Sequence, residues 1–266
     1  MQFNATKFQL KKSLLLSVIA IGLLIVAATL FGKETVKLVT DFTYIPVSGT
    51  LVVLSSILSM RFRRTGNHGK AWLFFLAISV SWFIAETTWS ALELVYHENP
   101  FPSIADIFYL AGYPFWFGFL FYYIKPVKNA VTKKMILGAA VISITMMIPS
   151  TYMAYDLDPK VSLLSNVIAT SYPILDSIIL IPALIGIVLF FRGEVNFTWS
   201  LVCIGIVLQS MGDSGFQIAT FTNTYYTGHP VDILFLWSYI FLSFGVYDHI
   251  RIFKKTKDQK PRSNLI

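Results

Sequence analysis

The sequence predicts an all-α polytopic membrane protein with eight transmembrane helices, and three observations carry that prediction. Hydrophobic residues make up 55% of the chain and charged residues only 13%, a balance outside the soluble globular range. The mean hydropathy is +0.65, which suits lipid better than water. The apolar residues gather into runs of about 20, long enough to cross a hydrocarbon core of about 30 Å, and the basic residues gather between the runs. Such runs consume most of the 266 residues, so no soluble domain of ordinary size fits beside them. Any function has to be built inside one membrane domain.

The first run, Ser13 to Phe31, follows Lys7, Lys11 and Lys12 in the manner of a signal peptide. Its apolar stretch exceeds the usual h-region and no small-x-small cleavage pattern follows, so it reads as an uncleaved first span. The second, Tyr44 to Met60, and the fifth, Met135 to Ser150, lie at the short end of the spanning range. Ala71 to Ala91, Ile104 to Ile124, Ser171 to Phe191, Phe197 to Phe221 and Val231 to Ile250 complete the set. No Pro/Ser/Gly-rich linker divides the chain, and residues 251–266 form a short basic tail. The single cysteine, Cys203, lies inside a span, which removes a disulfide framework or a cysteine-based zinc site and leaves a small core residue. No cofactor or metal motif is present, and His97 and His229 read as interfacial residues.

Charge placement predicts orientation. With the N-terminus in the cytoplasm of a cell-membrane protein, every one of the 21 Lys and Arg residues except Lys33, Lys37 and Lys160 falls on the inner side, Arg61, Arg63, Arg64, Lys70 and Arg192 among them. Eight spans then put both termini inside. The same spread over separate juxtamembrane segments excludes a nucleic-acid reading of the net charge of +7, and points to membrane lipids, anionic ones included, as the partners of these residues.

Within the spans the chain echoes itself. Asp106-Ile-Phe-Tyr-Leu-Ala-Gly-Tyr113 aligns without gaps on Asp232-Ile-Leu-Phe-Leu-Trp-Ser-Tyr239, with Asp, Leu and Tyr repeated on one helix face and a proline before each. One span earlier, Glu86 precedes Asp106 by 20 residues and Asp213 precedes Asp232 by 19. Tyr44-Ile-Pro46 and Tyr172-Pro173 extend the echo. The expectation is a four-plus-four repeat, residues 13–124 and 135–250, with the halves parallel because each contains an even number of spans.

Depth then picks out candidate site residues. At about 1.5 Å per residue, Glu86 and Asp213 lie roughly 20 Å or more from the inner boundary. Asp106, Asp176 and Asp232 begin the inward spans, so the five carboxyl groups share one layer. A carboxylate at membrane depth costs a few kcal/mol unless it faces protein or water, and a helix N-terminus lowers that cost. Asp106 and Asp232 are therefore equally well read as helix-start residues, with Pro102 and Ser103 starting the fourth span. Glu86 and Asp213 are deeper, and Pro173 loosens the turn before Asp176, which favours site roles for these three. Glu93, Glu98, Asp156 and Asp158 read as solvated outer-loop residues.

The run Pro-Ser-x-Ala-Asp-x-x-Tyr-Leu-x-x-Tyr-Pro from Pro102, then Tyr-Pro-x-x-Asp from Tyr172, Gly-Asp-x-x-Phe from Gly212 and the segment Asp232 to Tyr239 resemble the multispan N-terminal region of bacterial signalling proteins that carry GGDEF and EAL cyclic-di-GMP domains. The resemblance covers about Ala71 to His249. It implies a membrane-embedded sensory bundle whose acids and prolines line the recognition site. After Ile250 only the basic tail follows in this sequence, so catalysis on nucleotides is not carried over and a lone bundle would signal through a partner protein.

The expected function is accordingly a sensory or ligand-binding bundle whose pocket, open to the outside or the outer leaflet, is lined by Glu86, Asp106, Tyr113, Asp176, Asp213, Asp232 and Tyr239. Its charge suits a cationic or hydroxylated small ligand. An alternative is an intramembrane lipid hydrolase of lysoplasmalogenase-like type, with Asp213 and Glu86 as the catalytic pair sharing a proton. A third is a small-solute or proton-coupled transporter, whose acids belong nearer the midplane.

Overall fold

The computed structural model describes residues 2–62, 65–158, 161–190 and 196–258. Arg63, Arg64, Lys160, Arg192 and residues 259–266 of the basic tail lie outside the described residues, as do the side chains of Lys7, Lys254, Lys255 and Lys257. Eight α-helices follow in order: α1 (Gln2–Thr29), α2 (Lys33–Phe62), α3 (Gly66–Ala91), α4 (Ile104–Ile124), α5 (Lys133–Ala154), α6 (Leu163–Phe190), α7 (Asn196–Phe221) and α8 (Asp232–Asp258). A π-helical turn, Leu92–Tyr96, prolongs α3, and a 3-10 turn, Lys125–Ala130, prolongs α4. All eight are long and apolar enough to cross a membrane.

Two helices begin well before their apolar cores. α2 starts at Lys33 and not at Tyr44, and α6 at Leu163 and not at Ser171. Helix propagation depends on local backbone bonds, so it runs through polar residues until a turn stops it. Between α1 and α2 that stop is Gly32, at φ 97°, whose N–H bonds the Thr29 carbonyl at 3.2 Å. The longer α2 takes Asp41 into a helix, fully buried.

Packing follows a closed circuit in which α2 lies against α3, α3 against α4, α4 against α6, α6 against α7, α7 against α8, and α8 against α2. The other two helices are peripheral. α1 leans on α8 and α2, and α5 on α6 and α7. Only 17% of the central window of either is buried, against 61% for α7, so their apolar sides face outward as lipid-facing sides do.

Large aromatic side chains fill the ring, and small residues let them in. Trp72, Trp82, Trp116 and Trp199 are almost fully buried. A Cβ on Gly112 would lie 2.3 Å from Trp82 Nε1, and one on Gly186 2.1 Å from a Trp199 ring carbon, so both helix contacts require glycine. Cys203 packs in this core with its thiol donating to the Ala183 carbonyl at 3.1 Å. At the end of the bundle carrying the α2–α3 and α4–α5 connections, Tyr123 stacks on Trp199 with centroids 4.5 Å apart, and His249 lies 4.7 Å from Trp72. There His68 Nε2 and His249 Nε2 are 2.9 Å apart, and Trp72 Nε1 donates to His68 Nε2. An indole N–H only donates, so His68 Nε2 is the acceptor of the Trp72 bond.

Candidate functional site: an acid-lined cavity

The opposite end of the bundle holds the acids, and two of them complete helix starts. Ser103 caps α4: its Oγ accepts from Ala105 N at 3.1 Å, while Asp106 Oδ2 accepts from Ser103 N at 2.7 Å, a reciprocal capping box. Asp106 Oδ1 accepts the hydroxyl of Tyr172 on α6. At the start of α8, Asp232 Oδ2 accepts from Gly228 N at 2.7 Å and Oδ1 from the Tyr225 hydroxyl at 3.1 Å. The Tyr44 hydroxyl donates to the Asp232 carbonyl at 3.2 Å. Gly228 holds this loop at φ 96°, a conformation open to glycine. Each oxygen of both carboxyl groups therefore has one donor.

The deeper acids are less completely served. Glu86 on α3 accepts the Tyr239 hydroxyl at 2.7 Å, and the Tyr109 hydroxyl lies against it. Asp176 on α6 accepts the Tyr113 hydroxyl at 2.9 Å through Oδ1, and the carboxyl group of Asp213 on α7 lies beside it. Gln209 adjoins Asp213 and Ser210 adjoins Asp176, one turn earlier on α7. Asp176 Oδ2, Asp213 Oδ2, Gln209 Oε1 and Ser210 Oγ are all buried without a hydrogen-bond partner among the described residues.

Glu86, Asp106, Asp213 and Asp232 line one cavity of about 60 Å³, walled by aromatic side chains that include Trp82, Tyr109, Tyr113 and Phe235. Asp176 and Tyr239 stand behind that wall, bonded to Tyr113 and Glu86. A second, wider cavity of about 520 Å³ shares Trp89, Phe101, Phe216, Tyr225 and Thr227 with the first, so the two meet at an aromatic neck. Phe216 is its centre, 4.5 Å from the Tyr225 ring and 5.1 Å from Phe101. Lys37, Glu93, His97 and Glu98 line the wider space.

Among the described residues no Lys, Arg or His lines the inner cavity, which sets its chemistry. In a low-dielectric interior, clustered carboxyl groups with no internal cation attract one from outside or take up hydrogen. In the α7–α8 loop, burial pushes the Tyr225 phenol well above its ordinary value of 10.0, reinforced by Asp232, so it remains a donor. Burial lowers His229, whose Nδ1 accepts from Val231 N at 3.3 Å.

Several of these groups escape a reading of the sequence. Asp41 accepts from Ser90 Oγ at 3.3 Å with its other oxygen unpartnered. Its signal was a carboxylate just ahead of an apolar run, hidden once the span was started at Tyr44. Glu93, expected in a solvated loop, lies in the π-helical turn and accepts from Trp89 Nε1 at 3.2 Å and from Thr227 Oγ1. Gln209 shares a helix face with Asp213 at a spacing of one turn, a signal visible in the sequence. No family model, curated protein or solved structure matches the chain.

Proposed function

We propose that the chain is a multi-pass membrane binding module with both termini in the cytoplasm, whose inner cavity takes a small organic ammonium or a compact hydroxylated cation from outside or from the outer leaflet. The single observation that carries this reading is a cavity lined by four carboxyl groups and by aromatic faces, with no basic side chain in its wall among the described residues. Aromatic rings and carboxylates are the two groups that hold an ammonium away from water. The wider cavity and the neck around Phe216 supply an entry route. About 60 Å³ has room for a few waters or one small headgroup.

The resemblance to cyclic-di-GMP-linked sensory regions supports a signalling use, in which the occupied bundle engages a partner protein. The four-plus-four repeat is part of the same proposal. It draws support from paired contacts: α2 meets α8 as α6 meets α4, Tyr44 bonds at Asp232 as Tyr172 bonds Asp106, and His249 packs on Trp72 as Tyr123 packs on Trp199. The hydrolase alternative needs Asp213 and Glu86 to share a proton, whereas Asp213 adjoins Asp176 and Glu86 is held by tyrosines.

Thermal denaturation of the purified protein with ethanolamine, choline and putrescine, and with glycerol as the neutral control, tests the reading. A saturable rise in Tm with at least one amine, lost in Glu86→Gln, is the expected result. Stabilisation by glycerol alone, or an amine effect that Glu86→Gln leaves unchanged, rejects it. Reporter fusions after Ile266 and in the Tyr96 to Phe101 loop test the orientation and are expected on opposite sides.

A further inference from the structure

We propose that Asp176, Gln209, Ser210 and Asp213 form a binding site for one alkali-metal cation of sodium's size, set between α6 and α7 behind the ammonium cavity, whose wall shares Gln209 and Asp213 with it. The inference begins with an imbalance of donors and acceptors. Asp176 Oδ2, Asp213 Oδ2, Gln209 Oε1 and Ser210 Oγ are buried oxygens at one place, each without a hydrogen-bond partner among the described residues. Gln209 is 7% exposed and Ser210 3%, so bulk water does not serve them. A buried acceptor left unserved costs about 1–3 kcal/mol, and more when it is charged. Four such oxygens together make a shell in search of a cation.

Space is present at the same spot. A cavity of about 10 Å³ is lined by Asp176 and Ser210, with Ser150 and Ser214 hydrogen-bonded to each other at 2.7 Å on its border. That is room for about one water-sized body. Pro173, one turn before Asp176, has no N–H to offer the Ala169 carbonyl, so that backbone oxygen lacks its helical partner although α6 runs on without a break.

The donor set selects the ion. All four groups are hard oxygen ligands, and only two carry charge. Among the described residues no group of three or more His, Cys, Asp or Glu side chains gathers, as a transition metal would require. Calcium takes about six to eight oxygens, usually from more carboxylates than two. A small monovalent ion fits two carboxyl oxygens, an amide carbonyl and a hydroxyl.

The site is tested on the full chain in detergent with no amine present, so that its failure and the failure of the ammonium reading are separable. Melting curves are recorded in NaCl, KCl and CsCl at equal ionic strength, with CaCl₂ as a further comparison. A Tm that climbs saturably with NaCl above the CsCl baseline is expected, because an ion that binds only the folded chain stabilises it by mass action. Gln209→Leu and Asp213→Asn are expected to flatten that dependence, while Glu86→Gln retains it. Should Asp213→Asn fail to fold, Gln209→Leu and Ser210→Ala decide the matter. Identical Tm values in the three salts, which ordered water would give, overturn the proposal. So does a NaCl response that survives in Gln209→Leu and Ser210→Ala, or a response to CaCl₂ without one to NaCl.

Discussion

Asp106 and Asp232 differ from Asp176 and Asp213 in what surrounds equally buried carboxyl groups. The first pair begins α4 and α8, and every carboxyl oxygen accepts a hydrogen bond from a backbone N–H or a tyrosine hydroxyl. The second pair lies along α6 and α7, faces itself, and leaves an oxygen of each residue without a partner. Burial alone therefore does not mark a membrane carboxylate as functional. The donor inventory around it does, since a carboxyl oxygen with no bonded donor keeps more acceptor capacity for a ligand than one already bonded.

The sharpest way to break this contrast is to truncate the bonded acids. Asp106→Ala removes the capping box and strands the buried Tyr172 hydroxyl, so a loss of about 2–4 kcal/mol is expected. Unfolding in mixed detergent reads that loss. A change below about 0.5 kcal/mol would show that the α4 start does not depend on its cap. A smaller effect is expected from Glu86→Gln, which keeps the Tyr239 contact and removes charge. Amine affinity should fall by about tenfold, equivalent to about 1.4 kcal/mol, with little change in Tm. Calorimetry or a thermal-shift titration measures it, and unchanged affinity would move the ammonium to another carboxylate.

The neck gives a kinetic test. Phe216→Ala widens the constriction between the two cavities, so amine association and dissociation should both accelerate while the equilibrium constant moves by less than either rate. Stopped-flow tryptophan fluorescence follows both rates, and equal rates in the two proteins would mean entry by another path. The smallest effect concerns His229. Its folded-state affinity for a proton lies below the ordinary value near 6.5, so the unfolded chain binds more protons as pH falls. Its stabilising contribution is present above pH 6.5 and is lost below it. Melting curves from pH 7.5 to 5.5 should therefore show a slightly shallower acid decline in His229→Gln than in the native chain, and parallel declines would assign the slope to other groups.

How much of this was legible in the sequence depends on the range of the interactions. The eight apolar runs are local signals, and each became a helix. The Ser103-Ile-Ala-Asp106 start is also local, because a capping box is written in four consecutive residues. Span ends were less legible, since α2 runs on through Asp41, Thr40 and Lys37 as readily as through apolar residues. The meeting of Asp176 with Asp213 and of His68 with His249 had no local signature. Each depends on which helices become neighbours, which is decided by side chains such as Trp199 against Gly186 and not by the pattern around the titrating residue. Glu86 and Asp213 both line the inner cavity, though Asp213 adjoins Asp176.

The contrast between bonded and unbonded acids is tested most directly by measuring stability and ion response together in Asp106→Asn and Asp213→Asn, each against the native protein in NaCl and CsCl. Asp106→Asn is expected to melt lower in both salts and to keep the full difference between them. Asp213→Asn is expected to melt close to the native protein in CsCl and to lose the difference. A reversed pattern, or two variants that behave alike, would contradict the division of the acids into those that hold the fold and those that hold a cation.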